Sequence, residues 1–362
     1  MAAGIVTLGI LAYLAFQSFG PGQSAQTTTT TTTEPSLRWQ NPVIPSDFPD
    51  PFVVHEGAGF VAVATNGPGG RIQVATSADL AHWSAPTEGL TALPAWSSQR
   101  ADLVWAPSIV KIGEGWLLYA TFQDETSGRQ CIGVAQATNA TGPYNPVGAR
   151  PLVCPTSEGG AIDPEVTLVG EVPWLLWKVD GNCCGRPTPI RSQQLAADGL
   201  SLVGSPSTLL NLDLAWERGP NAQQSTIEGP SMATINGQMV LLYSGSAYSA
   251  DRYAMGYALC ESIQGPCSKS GVAPTVATGG GVSGPGGGSF FFDTHGRPWI
   301  SYHAWDPSRV GYPAGGVRTM RIDRVALVDD RLVVLGPTTD AMELSPTELL
   351  PRQAVSPGAG RS

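Results

Sequence analysis

One pattern recurs five times along this 362-residue chain. Each copy has a turn rich in proline or glycine, an apolar strand, a short polar hairpin, an aromatic-rich second strand and a third strand. The copies open near Asp50, Trp105, Asp163, Glu228 and Gly284, with a period of roughly 55 to 65 residues, too short for units that alternate strands with full helices. Repeats of three to four strands predict an all-β fold, a five-bladed β-propeller, with a β-sandwich of coincidental spacing as the alternative.

Three of the repeats open with an acidic residue. Asp50 lies in the motif FPDP, Asp163 in IDP and Glu228 in IEGP. The proline after each acid fixes the chain direction and restricts the residue before it, so the carboxylate is held at the start of a strand. Radial repetition brings these strand starts to one face around the central axis. Two carboxylates tuned by a third acid are typical of sites that hydrolyse glycosidic bonds.

The same geometry predicts residues for binding a substrate. If the first strand of each repeat leaves this face, the second strand returns to it. We therefore expect Trp105, His303, Trp305 and Arg318 to lie at the rim of the site and to bind substrate. For the two tryptophans, packing between blades is the alternative.

Other acids near these turns are expected to be structural. Asp47 lacks a following proline and is assigned to a cap or turn, and Asp180 is also assigned to a turn. Glu165 follows Asp163 by two residues on a strand, so it points to the same side but deeper.

The composition agrees with this fold and limits the partners. Charged residues make up only 14% of the chain, which contains 44 Gly and 31 Pro, a balance typical of turn-rich β proteins. The formal net charge of -9 argues against a nucleic-acid partner, which needs a basic surface. A neutral polysaccharide or oligosaccharide is compatible with an acidic surface, and we expect the protein to be a monomer.

The N-terminal segment predicts a location outside the cytoplasm. Residues 1–20 carry no charged side chain and are about long enough to span a bilayer, but they lack a basic n-region. A cleaved signal peptide, an uncleaved membrane anchor, and a true start further upstream all remain open. Residues 21–36 include a threonine run and read as a linker. The catalytic domain is expected at 37–340 and a polar tail at 341–362.

Six cysteines fit an oxidising compartment. Cys260 and Cys267 bracket a turn and could join a hairpin, and Cys131 and Cys154 flank a strand and a turn. Cys183 and Cys184 are adjacent, so a rare vicinal disulfide is possible. Their spacing matches no common zinc site, and we expect all six to be structural.

The ordered repeat openings resemble those of family 43 glycoside hydrolases. The openings Asp-Pro, Trp-Ala-Pro, Ile-Asp-Pro and Glu-Gly-Pro occur in this order, and DLAHW at 79–83 resembles the turn that closes the first blade in that family. The resemblance covers about residues 40–340. It implies a five-bladed propeller that hydrolyses arabinose- or xylose-containing glycans with inversion. Asp50 matches the general base, Asp163 the acid that tunes the pKa and orients the proton donor, and Glu228 the general acid.

One motif departs from the resemblance. Many members have Gly-Pro-Gly-His where this chain has Gly-Pro-Gly-Gly, ending at Gly287. That histidine often adjoins a bound cation, so no cofactor is predicted, and a central calcium stays as the alternative. His303 could replace it only by reaching in from the neighbouring strand, which is not expected. Two other functions remain open, a non-catalytic carbohydrate-binding propeller and a retaining fructan hydrolase.

Overall fold

Five four-stranded antiparallel sheets dominate the computed structural model, which describes residues 37–344. A strand β1 (Leu37–Gln40) precedes them. Blade one comprises β2 (Phe52–Glu56), β3 (Gly59–Ala64), β4 (Gln73–Ser77) and β5 (Thr87–Glu88). Blade two comprises β6 (Val104–Ile112), β7 (Gly115–Gln123), β8 (Gln130–Ala137) and β9 (Asn145–Val147). Blade three comprises β10 (Ala161–Val169), β11 (Val172–Val179), β12 (Ile190–Leu195) and β13 (Leu202–Leu210).

The last two blades follow the same order. Blade four comprises β14 (Ile227–Ile235), β15 (Gln238–Gly245), β16 (Ala254–Cys260) and β17 (Cys267–Lys269). Blade five comprises β18 (Ser283–Phe292), β19 (Pro298–Trp305), β20 (Thr319–Val328) and β21 (Arg331–Val334), and β22 (Ala341–Leu344) comes last. Short 3-10 turns lie at Ala101–Leu103, Thr156–Glu158, Gly181–Cys184, Ala215–Glu217 and Tyr312–Ala314. The predicted five-bladed β-propeller is confirmed.

The hydrophobic core lies between neighbouring blades. Successive side chains of a strand point to opposite faces, and both faces of each second strand are covered. In β7, Leu118 packs with blade one, while Tyr119 packs with blade three. In β11, Leu175 faces blade two and Leu176 faces blade four. This two-sided burial explains why the second strands are continuously apolar.

The two ends of the described chain meet beside blade five. Strand β1 pairs with β22 in a separate antiparallel sheet. Trp39 of β1 is buried, donates its indole N–H to the carbonyl of Ile322 (3.2 Å) and packs edge-on against Trp299. The first four residues of the predicted tail are therefore a strand. The predicted N-terminal segment, the linker up to residue 36 and the rest of the tail lie outside the described residues.

All six cysteines are paired. The disulfides join Cys131 to Cys154, Cys183 to Cys184 and Cys260 to Cys267, which are the pairings that the sequence left open. Within residues 37–344, no helix is long and apolar enough to cross a membrane.

Candidate active site

The start of each blade has the same unusual backbone. The strand registers align five residues with positive φ: Asp50 (52°), Ala106 (44°), Asp163 (54°), Gly229 (57°) and Gly287 (57°). Proline follows the first four. Left-handed backbone is uncommon for residues other than glycine and clusters at functional sites. Asp50 and Asp163 occupy this position themselves, whereas Glu228 lies one residue before it, so the acids do not all project from equivalent positions.

A ring of hydrogen bonds connects these five residues to the preceding blades. In four of the five cases, the backbone N–H donates to a side chain at the end of the preceding blade's second strand. The pairs are Ala106 to Thr65 Oγ1 (2.7 Å), Asp163 to Thr121 Oγ1 (3.2 Å), Gly287 to Ser244 Oγ (3.0 Å) and Asp50 to His303 Nδ1 (3.1 Å). In the fifth case Lys178 stands at the strand end. The N–H of Gly229 donates instead to Asp163 Oδ2 (2.9 Å).

The five strand starts surround one cavity of about 750 Å³. It is lined by the three predicted acids together with Trp105, Tyr253 and Arg318, among others. All five blades contribute to the wall, so the propeller brings residues from distant parts of the sequence to one place. Of the predicted substrate-binding residues, Trp105 and Arg318 line this cavity.

Asp50 is held as a carboxylate. The hydroxyl of Thr65 donates to its Oδ2 (2.6 Å), and Arg318 Nη1 lies 3.3 Å from its Oδ1. Burial opposes ionisation, but the charge of Arg318, the neighbouring His303 and the Thr65 hydroxyl outweigh it and lower the pKa of Asp50 well below its ordinary value. Asp50 can therefore accept a proton.

Arg318 is itself fixed in place. Its guanidinium lies over the rings of Tyr248 (4.9 Å) and Tyr312 (5.6 Å), and its Nε–H donates to the hydroxyl of Tyr312. Asp47 accepts the backbone N–H of Arg318 (2.7 Å) and the hydroxyl of Tyr312. Asp47 thus supports the arginine that faces Asp50.

Glu228 has two donors, one for each oxygen. Tyr253 donates its hydroxyl to Oε1 (2.9 Å), and Lys178 donates to Oε2 (2.9 Å). Lys178 is 1% exposed and lies 3.5 Å from Asp180. Burial favours its neutral form, but the carboxylates of Glu228 and Asp180 outweigh this and raise the pKa of Lys178. A buried cation therefore faces the predicted proton donor. In the sequence, the signal for this buried cation was a lone lysine, Lys178, at the end of an apolar strand.

The pKa of Asp163 is shifted in the opposite direction to that of Asp50. Burial and the nearby charge of Glu228 raise its pKa to about 8. Asp163 thus holds a proton at neutral pH. Burial also raises the pKa of Glu165 to about 8, and Glu165 accepts the N–H of Met232 (2.9 Å), which links blade three to blade four.

The structure corrects the predicted place of two residues. His303 and Trp305 are both 0% exposed, so neither reaches the cavity surface. Trp305 supports the rim from behind by donating its indole N–H to the carbonyl of Tyr248 (2.8 Å). His303 does reach in from the neighbouring strand, contrary to expectation. It fills the space beside Gly287, where an added Cβ would lie 2.6 Å from its Cε1.

Gly287 has no side chain that could hold a central cation. The imidazole of His303 occupies the space beside it: Nδ1 accepts the N–H of Asp50, and the buried Nε2 has no hydrogen-bond partner among residues 37–344. Among residues 37–344 there is no group of three or more His, Cys, Asp or Glu side chains that could hold a metal ion.

Comparisons with known proteins agree with the fold. The model of Glycosyl hydrolases family 43 matches residues 39–332. A solved thermostable family-43 glycoside hydrolase is similar, with a TM-score of 0.75 and 24% identity over 86% of this chain and 100% of that one. An endo-1,4-β-xylanase from Bacteroides thetaiotaomicron has a TM-score of 0.67 and 23% identity over 85% of this chain and 98% of that one. An α-L-arabinofuranosidase from Lactobacillus brevis has a TM-score of 0.68 and 20% identity over 83% of this chain and 98% of that one. No curated protein gave a significant match.

The propeller and its acid-lined cavity define a glycoside hydrolase. The chain belongs to glycosyl hydrolase family 43, whose model covers most of its length. Its substrate is therefore a carbohydrate.

Proposed function

We propose that this protein hydrolyses arabinose- or xylose-containing glycans with inversion at the anomeric carbon. One observation carries the proposal: Asp50, kept ionised by Arg318, shares a cavity with Glu228 and with Asp163, whose raised pKa lets it hold a proton at neutral pH. Inversion needs an ionised base and a protonated acid on opposite sides of the sugar. The names of the similar xylanase and arabinofuranosidase support a pentose substrate.

The proposed reaction is a single displacement. Asp50 takes a proton from a water molecule as the oxygen of that water bonds to the anomeric carbon. The glycosidic C–O bond breaks, and Glu228 gives its proton to the leaving oxygen. Asp163 supplies the adjacent proton that keeps Glu228 competent as the donor. Tyr253 and Lys178 orient the carboxyl of Glu228. No step requires a metal ion.

The first test is hydrolysis of a panel of substrates by the purified protein, with and without a chelator. A panel of nitrophenyl pentosides, arabinan and arabinoxylan identifies the sugar that the protein releases. Proton NMR of the first-formed product gives the anomeric configuration, and retention would favour the fructan-type mechanism instead. Glycan binding without hydrolysis would favour the non-catalytic propeller. Loss of activity with chelator would contradict the metal-free reaction.

Two substitutions separate the roles of the acids. Glu228→Gln should reduce hydrolysis of natural glycans by roughly 10²- to 10⁴-fold, and should affect nitrophenyl substrates less because their leaving groups need less protonation. Asp50→Asn should abolish the hydrolysis of both, since each needs an activated water. Full activity in Asp50→Asn would rule out the assigned base.

We also propose that the protein acts outside the cytoplasm as a monomer. Three disulfides support an oxidising compartment. Cell fractionation with N-terminal sequencing of the mature protein would test the location and any cleavage. Light scattering would test the oligomeric state.

A further inference from the structure

The vicinal disulfide lies at the edge of the catalytic cavity. Cys183 and Cys184 end the 3-10 turn Gly181–Cys184, which follows β11 directly. Cys183 is exposed, and both it and its neighbour Asn182 line the cavity. The other two disulfides contribute no lining residue. The hydrolytic mechanism does not use this turn.

Contacts from two sides hold the turn in place. Arg129, which precedes β8 of blade two, directs Nη1 to Cys184 Sγ (2.6 Å) and Cys183 Sγ (3.4 Å). On the other side, Asn182 donates its Nδ2–H to the carbonyl of Gln223 in the loop before blade four (2.8 Å). A wall fixed in this way loses little conformational entropy when a ligand binds.

Asn182 has an unused acceptor. Its Oδ1 is buried and has no hydrogen-bond partner in the part of the chain that the structure describes. A buried polar atom without a partner is unfavourable by about 1–3 kcal/mol, so a donor from a ligand would be stabilising. Next to it, the disulfide offers a polarisable apolar surface without a strong donor.

The position of the turn indicates which part of a substrate it meets. It continues the chain from Lys178, which pairs with Glu228 (2.9 Å), and from Asp180, which lies 3.5 Å from Lys178. In the proposed reaction Glu228 protonates the glycosidic oxygen, so the leaving sugar lies on the Glu228 side of the cavity. The exposed Cys183 lines the cavity from blade three, whereas Asp50 and Arg318 meet at blades one and five.

We propose that the Cys183–Cys184 disulfide and Asn182 form the subsite for the leaving-group sugar. The disulfide packs against the C–H face of the sugar ring, and Asn182 Oδ1 accepts a hydrogen bond from a sugar hydroxyl. Apolar walls with a few placed polar groups are typical of ligand sites. The proposal rests on the proposed function and adds the residues that select substrates with a sugar leaving group.

Paired substrates test this subsite. A pentobiose fills it, whereas a pentosyl fluoride leaves it empty because the leaving group is one atom. The probes are xylobiose with β-D-xylosyl fluoride, and α-1,5-arabinobiose with α-L-arabinofuranosyl fluoride. In Cys183→Ser/Cys184→Ser, we expect KM for the disaccharide to rise about tenfold, which corresponds to ~1.4 kcal/mol, with unchanged turnover of the fluoride. Fluoride turnover also reports that the variant is folded.

Cys260→Ser/Cys267→Ser is the matched control, because that disulfide joins β16 to β17 away from the cavity. This control variant should leave both KM for the disaccharide and turnover of the fluoride unchanged. Asn182→Ala should raise KM for the disaccharide alone. Equal losses on both substrates, or no loss on either, would overturn the subsite. A wild-type protein that hydrolyses neither substrate would instead overturn the proposed function, and this inference with it.

Discussion

At the scale of single residues, Lys178 gives this site its particular charge arrangement. In the other four blades the corresponding strand-end residue accepts a backbone N–H, but a lysine ammonium has no acceptor. Asp163 takes over by accepting the N–H of Gly229, which fixes it beside Glu228. Lys178 then pairs with Glu228. One change of residue type therefore pairs a cation with Glu228 and binds Asp163 to the backbone next to it.

The pH dependence of activity should reflect these carboxyls. Because the pKa of Asp163 is raised to about 8, Asp163 holds a proton below that pH and loses it above. Asp50 stays ionised in mild acid because its pKa is lowered. We expect kcat/KM to fall as pH rises through about 8 and to change little in mild acid. A pH profile measured where the protein stays folded checks this. An alkaline limb near pH 6 would contradict it.

Lys178→Met should move the alkaline limb to higher pH. The cation lowers the pKa of Asp163, so its removal makes the proton harder to lose. A shift of one pKa unit corresponds to about 1.4 kcal/mol of changed interaction. The measurement is the pH profile of kcat/KM for a nitrophenyl pentoside. Lys111→Met, at a half-exposed lysine paired with Glu56, is the control and should not move the limb. An unmoved limb in Lys178→Met would refute the effect of Lys178 on the pKa of Asp163.

At the scale of structural elements, the start of each first strand determines where the acids point. β-Bulges interrupt the register between Ile162 and Glu165 and between Glu228 and Ser231. Bulges redirect side chains and are common next to active sites. The bulged, left-handed starts of β10 and β14 therefore turn Asp163 and Glu228 toward the axis rather than along the sheet.

Gly287→Ala should reduce activity sharply. Its added Cβ would lie 2.6 Å from Asp50 Oδ1 and 2.6 Å from His303 Cε1, so the catalytic base would have to move. Gly113→Ala is a matched control, because Gly113 has a similar φ of 60° but open space around it. It should lose only about 1–2 kcal/mol of stability from the left-handed backbone. Measurements of kcat/KM and of denaturant unfolding on both variants separate displacement of Asp50 from backbone strain. Equal activities in the two variants would count against this reasoning.

At the scale of the whole molecule, the two ends of the described part of the chain close the propeller outside the blades. All four strands of blade five come from one continuous segment, so no strand is exchanged between the ends. Closure depends instead on packing of β1 and on apolar contacts between blades five and one. The cavity depends on this closure because Asp50 comes from blade one and Arg318 from blade five.

Trp39→Ala should therefore destabilise the entire domain. Trp39 is 4% exposed, and removing a buried tryptophan side chain typically reduces the free energy of unfolding by about 3–5 kcal/mol. Denaturant unfolding should show one earlier transition with an unchanged slope. Val272→Ala, at an 84% exposed position, is the control and should change stability little. An early separate transition for β1 alone would contradict a closing role.

The sequence alone predicted the blades and the convergence of three acids. Each blade is a local antiparallel unit, so its strand periodicity and its proline-containing turn are readable in one stretch of chain. Repetition around an axis then brings Asp50, Asp163 and Glu228 to the same face. The disulfide pairings were open possibilities in the sequence, because each joins cysteines that are near in sequence, but the connectivity came from the structure.

Only the tertiary structure decided the partners of these acids and their charges. Lys178 and Glu228 are 50 residues apart, and Asp50 and Arg318 are 268 apart. No local pattern encodes such contacts. His303 resembled a rim residue, yet burial makes it a support beneath Asp50, and the cysteine pair resembled a structural link, yet it faces the cavity. Burial and charge–charge contacts are properties of the assembled blades, because they depend on what surrounds a side chain in three dimensions.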